Sequence, residues 1–194
     1  MNKGRLFVLS GPSGVGKGTI LNKVLSSDGN LELSVSATTR AIRNGEVDGV
    51  NYHFIPLDKF KQMISDGELL EYAVVYDNYY GTLKNKTLEQ LNSGKDVILE
   101  IDPVGAMNIK SLYPDAVTIF LIPPDRETLE KRLRNRGTET EEVFNKRVAA
   151  ATEEINMSKY YDYKVINDDA DKCSEEVIKI IKDEKSKRRI NYVN

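Results

Sequence analysis

Short apolar runs rich in valine and isoleucine alternate along the chain with stretches of helical period. Arg5–Leu9, Leu33–Ala37, Asp96–Ile101, Ala116–Ile122 and Tyr163–Ile166 read as strands. Several are apolar nearly throughout, as expected of strands covered on both faces. Spacings near 3.6 residues predict helices over Lys17–Leu25, Leu83–Asn92, Val104–Leu112, Arg126–Asn135, Glu141–Met157 and Lys172–Lys187. This alternation predicts an α/β fold: a five-stranded parallel sheet flanked by helices.

Two stretches break the alternation. Residues 39–81 are rich in Gly, Asn and Tyr and carry only short strand-like pieces. Residues 136–142, "RGTETEE", are charged and lack apolar periodicity. Both read as insertions between sheet elements. In α/β sheets such excursions lie at the carboxyl ends of strands, where ligands bind.

Composition narrows the class. The 194 residues suffice for one good core, and 40% hydrophobic with 30% charged is the balance of a globular protein. A net charge of −2 gives no reason to expect nucleic acid or an anionic membrane as partner. One cysteine, Cys173, excludes an internal disulfide and suits a reducing compartment, and one histidine, His53, excludes histidine-rich metal sites. The apolar run Leu6–Leu9 is too short for a signal-peptide core, and no segment nears the ~20 apolar residues of a membrane span. A cytoplasmic protein is expected.

The sharpest chemical signal is "GPSGVGKGT", residues 11–19, set between a strand and a helix. Gly11, Gly14 and Gly16 allow a tight turn and close approach to phosphate. Pro12, Ser13, Val15 and Gly18 complete a backbone whose N–H groups form an anion nest at the N-terminus of the helix from Lys17. Lys17 supplies the charge that reaches the terminal phosphates of a nucleoside triphosphate. The usual pattern puts a hydroxyl directly after the lysine to touch a metal. Here Gly18 holds that slot and Thr19 follows, so the metal ligands are left unassigned, and Mg²⁺ is expected to sit on phosphates, water and a carboxylate.

Three further groups carry candidate chemistry. Arg40 and Arg43, with Ser36 upstream and Tyr52 downstream, suit a phosphate monoester, since guanidinium forks bind its oxygens bidentately. Glu100 and Asp102 end an apolar strand. Residues two apart on a strand share a side, and an acid there can orient a metal or cap the following helix. Arg132, Arg136 and Arg147 flank the charged insertion, where arginines can stabilise a moving phosphoryl group.

The string "SVSATTRAIRNGEVDGVNYHF" at 34–54 resembles the guanylate kinase family closely. So do "LLEY" at 69–72, "NYYGT" at 78–82, "ILEID" at 98–102, "RLRNRGTETEE" at 132–142 and "VINDD" at 165–169. With the phosphate loop, these motifs follow in the family's order across almost the whole chain. The resemblance implies a P-loop kinase fold in one domain. Its core would be 1–38, 82–135 and 148–194, with a GMP-binding region at 39–81 and a short lid at 136–147. It implies that Ser36, Arg40, Arg43 and Tyr52 hold the phosphate of GMP, with Tyr80 completing that shell. Glu71 would accept from guanine N1–H and the 2-amino group, and Thr82 would contact the guanine carbonyl region. Asp102 would be an active-site carboxylate with Glu100 as its partner. Lys17, Arg136 and Arg147 would act on the γ-phosphoryl group of ATP, and Asn167 and Asp168 would line the adenine pocket.

The expected activity is Mg²⁺-dependent transfer from ATP to GMP, with dGMP as a second acceptor. Homo-oligomerisation is compatible with the sequence. Two rivals stand beside this reading. One is a kinase for another nucleoside monophosphate, against which Glu71 and Thr82 argue. The other is a non-catalytic guanylate-kinase-like binding module, against which the complete phosphate loop argues.

Overall fold

The structure, a computed structural model, describes residues 3–75, 77–134 and 140–190. Its main sheet has five strands: β1 (Leu6–Ser10), β2 (Leu31–Leu33), β7 (Asp96–Glu100), β8 (Val117–Ile122) and β9 (Tyr163–Ile166). Their order across the sheet is β2-β7-β1-β8-β9. The sheet is parallel, as in Leu31↔Asp96 of β2–β7 and Ile119↔Tyr163 of β8–β9. β1 is buried along its whole length, and β7 and β8 are buried at all but their last residue. Strands covered on both faces must be apolar throughout, and this is what made them legible.

The helices α1 (Lys17–Ser26), α3 (Lys84–Asn92), α4 (Pro103–Leu112), α5 (Arg126–Arg134), α6 (Glu141–Asn156) and α7 (Ala170–Ile190) lie where the periodicity puts them, within about two residues at most ends. Their boundaries have local causes. Gly16 is left-handed at φ 98 and opens α1. Asp102 caps α4 and Pro103 fills its first turn, where a missing N–H is harmless. The Thr140 side chain caps α6.

One predicted strand is not continuous. The run 33–37 is divided between β2, which ends at Leu33, and β3 (Ala37–Thr38), which joins a second sheet. That sheet is the main content of the irregular stretch. It also contains β4 (His53–Phe54), β5 (Leu69–Val75) and β6 (Asn78–Leu83), in the order β4-β3-β6-β5. β5 and β6 form an antiparallel hairpin, β3 runs antiparallel to β6, and β4 is parallel to β3. A helix, α2 (Leu57–Ser65), accompanies it and buries Phe60 and Met63.

The chain divides into two compact units. One is built on Asn30–Ala116, the other on Val8–Gly29 and the residues from Val117. In the first unit, Phe60 is fully buried and its ring lies 5.5 Å from that of Tyr79. A Cβ on Gly81 would fall 3.0 Å from the Phe60 ring, so α2 and the hairpin meet with no spare volume. In the second unit, Leu129 and Leu133 of α5 pack with Phe144, Val148 and Ala151 of α6. Phe60→Ala should leave a cavity and cost about 3–5 kcal/mol of stability, read as a lower denaturant midpoint. A loss below about 1 kcal/mol would mean that α2 does not hold the second sheet.

Candidate active site

Glu71 is the most unusual residue of the first unit. It lies on β5 with 6% of its surface exposed. The pleat alone would not bury it beside Leu70. The pairing of β5 with β6 shifts register between Leu69 and Glu71, and this irregularity turns Leu70 and Glu71 inward together. The Thr82 hydroxyl, fully buried on β6, donates to Glu71 Oε1 at 2.7 Å. Burial pushes the Glu71 pKa up to about 7; the Thr82 hydrogen bond pulls it down and the Asp102 charge adds to the rise. A Cβ on Gly105 of α4 would lie 2.5 Å from Glu71 Oε2. Any Cβ there would force the carboxylate to shift, a constraint that no sequence pattern announces.

Asp102 accepts from the backbone N–H groups of Val104 at 2.8 Å and Gly105 at 3.1 Å. β7 ends at Glu100, so Asp102 is a helix cap beyond the strand. The expectation that the two acids share a side through strand alternation therefore does not apply.

The arginine shell stands on the same unit. The two threonines before Arg40 fix its loop to β6. Thr38 donates to the Tyr79 carbonyl at 2.9 Å, and Thr39 Oγ1 accepts the Tyr79 N–H at 2.9 Å. The Arg40 guanidinium lies 5.5 Å from the Tyr52 ring centre and 5.6 Å from that of Phe54, within cation–π range. Tyr52 meets Tyr80 edge to face at 5.9 Å, and burial pushes the Tyr52 pKa up to about 12. Ser36 is buried, and Arg43 is exposed. Sequence reading passed over Glu46, which grips Arg40 at 2.7 and 3.0 Å.

The phosphate loop belongs to the second unit. Lys17 Nζ donates to the carbonyls of Gly11 at 2.6 Å and Pro12 at 3.3 Å, so the lysine folds back over its own loop. Gly14 has φ 84, and a Cβ there would press on Leu133 at 3.0 Å. Asn167, 5% exposed, donates from Nδ2 to the Val15 carbonyl at 2.7 Å. Arg132 Nη1 donates to the Asn167 carbonyl at 3.0 Å. Nη2 reaches the Asp168 carbonyl at 3.5 Å. Arg147 Nη2 donates to Ser13 Oγ at 3.1 Å, and Glu154 accepts the Ser13 N–H at 3.2 Å. Arg136 lies outside the described residues.

Among the described residues, no group of three or more His, Cys, Asp or Glu could cage a metal ion. Gly18 faces open space: a Cβ there would meet nothing within 4 Å, and the residue adds no ligand.

Comparison with known proteins agrees with these motifs. The guanylate kinase family model matches residues 3–184. The chain belongs to the guanylate kinase family. A guanylate kinase of Clostridioides difficile (strain 630) is 52% identical over 96% of this chain and 91% of its own length. One from Carboxydothermus hydrogenoformans is 49% identical over 99% of this chain and 95% of its own. The crystal structure of guanylate kinase from Anaplasma phagocytophilum superposes with a TM-score of 0.80 at 31% identity, covering 95% of this chain and 87% of that one.

The residues singled out by the guanylate kinase resemblance thus fall into two groups. Glu71, Thr82, Asp102, Glu100, Ser36, Arg40, Arg43, Tyr52 and Tyr80 lie in the first unit. The loop Gly11–Thr19 with Lys17, and Arg147, Asn167 and Asp168, lie in the second.

The Glu71 carboxyl has a measurable signature. Its folded pKa lies above the ordinary value of ~4.3, so its favourable contribution is complete below about pH 4 and is lost as pH rises through about 7. Glu71→Gln stays neutral throughout. The stability of the variant relative to the parent should therefore grow between about pH 5 and 8, by up to roughly 3 kcal/mol. Parallel melting curves across that range would show that Glu71 ionises freely.

Proposed function

We propose that the chain transfers the γ-phosphoryl group of ATP to GMP, and to dGMP, giving ADP and GDP. The observation that carries the base assignment is the buried Glu71 with Thr82 beside it. Guanine offers two adjacent donors on one edge, N1–H and the 2-amino group. A carboxylate accepts both, and the donors offset the cost of its burial. Adenine presents an acceptor at N1 in place of a donor and would leave an oxygen of that carboxylate unmatched, which a buried site penalises. The relatives' name, guanylate kinase, supports the same acceptor.

In this reading the mechanism is direct displacement. An oxygen of the GMP phosphate attacks the γ-phosphorus as the bond to the β–γ bridging oxygen breaks, and ADP leaves. No covalent enzyme intermediate is formed. Arg40, Arg43, Tyr52 and Tyr80 hold the acceptor phosphate, with Ser36 in the same shell. Lys17, Arg147 and Arg136 offset charge on the moving group. Residues Gly11–Thr19 cradle the ATP phosphates, and Asn167 and Asp168 border its base. The same charge is screened by the Mg²⁺ that accompanies ATP. Asp102, held rigid as a helix cap, and Glu100 orient the acceptor side. The Arg147–Ser13 contact supports this scheme, since it joins an arginine to the loop itself. Residues 136–147 then act as a lid that excludes water.

ADP formation from ATP and Mg²⁺ should occur with GMP and dGMP and not with AMP, CMP, UMP or dTMP. Turnover with another base would move specificity away from Glu71. Absence of turnover from folded protein that binds GMP would favour the binding-module reading. Lys17→Ala should cut turnover by about 100-fold or more while the protein stays folded; near-normal turnover would remove Lys17 from the chemistry.

A further inference from the structure

A shell meant for a doubly negative phosphate contains a fixed anion. Glu46 Oε1 accepts from Arg40 Nη2 at 2.7 Å, and Oε2 accepts from Nη1 at 3.0 Å. Oε2 also accepts the backbone N–H of Arg43 at 2.8 Å. One carboxylate therefore ties together both arginines of the shell. The pair is shielded, with side-chain exposures of 11% for Arg40 and 19% for Glu46. The Arg40 hydrogen bond holds the Glu46 carboxyl below the usual range, so it is an anion at neutral pH.

Such a carboxylate can act in two opposite ways. It can occupy the fork that the phosphate needs, and then it competes with substrate. Or it can hold the fork in place, and then it assists. The guanidinium geometry separates these. Arg40 has five N–H groups in one plane. Nη1 donates to Glu46 and to the Ala41 carbonyl at 2.7 Å, and one hydrogen of Nη2 goes to Glu46. These contacts take the end of the fork. The other edge, formed by Nε and the second Nη2 hydrogen, is a separate bidentate face. Tyr80 interacts with Arg40, and the rings of Tyr52 and Phe54 border it.

We propose that Glu46 is a positioning residue for the acceptor-phosphate site, gripping the end of Arg40 and the backbone of Arg43 so that the side edge of Arg40 is set for the GMP phosphate. This rests on the reading that Arg40 holds that phosphate. A long arginine side chain has much rotamer freedom, and fixing it before substrate arrives removes that loss from the binding step. The carboxylate also weakens the field at the site. Its two effects on GMP binding have opposite signs, and one substitution reports which prevails.

The test is steady-state kinetics on full-length Glu46→Gln. Gln keeps the size but removes the charge and one acceptor oxygen. Positioning predicts that KM for GMP rises about tenfold or more, while KM for ATP stays within about twofold. A fall in KM for GMP would mean that Glu46 competes with the phosphate and would overturn the proposal, as would an unchanged value. Arg40→Ala and the double variant separate the causes. In the Arg40→Ala background, Glu46→Gln should add nothing further; an added rise would mean that the whole loop is disrupted, and the proposal fails. If Arg40→Ala itself leaves KM for GMP unchanged, the acceptor-shell reading fails with it. If Arg40→Ala raises KM and Glu46→Gln does not, only the role of Glu46 is lost. Should Glu46→Gln melt the protein, Glu46→Asp, which keeps the charge but shortens the reach, should still raise KM for GMP alone.

Discussion

A carboxylate removed from water needs donors, and the surroundings of Glu71 in the first unit answer that need. Glu71 is buried with the Thr82 hydroxyl as a partner. Everything close to it follows from making such a burial tolerable. The register shift in the hairpin turns it inward, Gly105 leaves it space, and Asp102 on the same helix end is held by two backbone N–H groups. A buried carboxylate favours ligands that bring donors to it and disfavours those that do not. In the proposed function, base selectivity would rest on this buried carboxylate.

The residues proposed to handle phosphate share a second feature: several are held in place by neighbouring side chains. Thr38 and Thr39 fix the Arg40 loop to β6, and Glu46 fixes the guanidinium. Asn167 supports the Val15 carbonyl, and Arg132 supports Asn167 in turn. Flexible cationic side chains become useful only when such supports limit where they point.

The sequence made the main sheet legible because its strands are buried on both faces. Tyr163–Ile166 was read to the residue. The phosphate loop was legible because its glycine spacing has a backbone cause. The second sheet was not, and the reasons are physical. β3 and β4 are two residues each, too short for any period to register. α2 presents only Phe60 and Met63 to the core. Strand alternation would have placed Leu70 and Glu71 on opposite faces, and only the irregular pairing with β6 buries both. Asp102 and Glu100 look like neighbours on one strand, but β7 ends at Glu100 and Asp102 already caps α4. The supports were the least visible. The bond from Glu46 to Arg40 spans six residues of irregular loop, and nothing in either residue type predicts it.

The bond from Asn167 to the Val15 carbonyl joins residues 152 positions apart. A ribosome makes the phosphate loop first and its support near the end. Chains are synthesised from the N-terminus at roughly 5–20 residues per second, so the glycine loop exists for many seconds before Asn167 can reach it. Over that interval the best-known part of the site is present as sequence but lacks the contact that shapes it. A nascent or truncated chain ending before β9 carries the whole motif without the side chain that steadies it. The hydrogen bond that braces the loop can therefore form only once the chain is nearly complete.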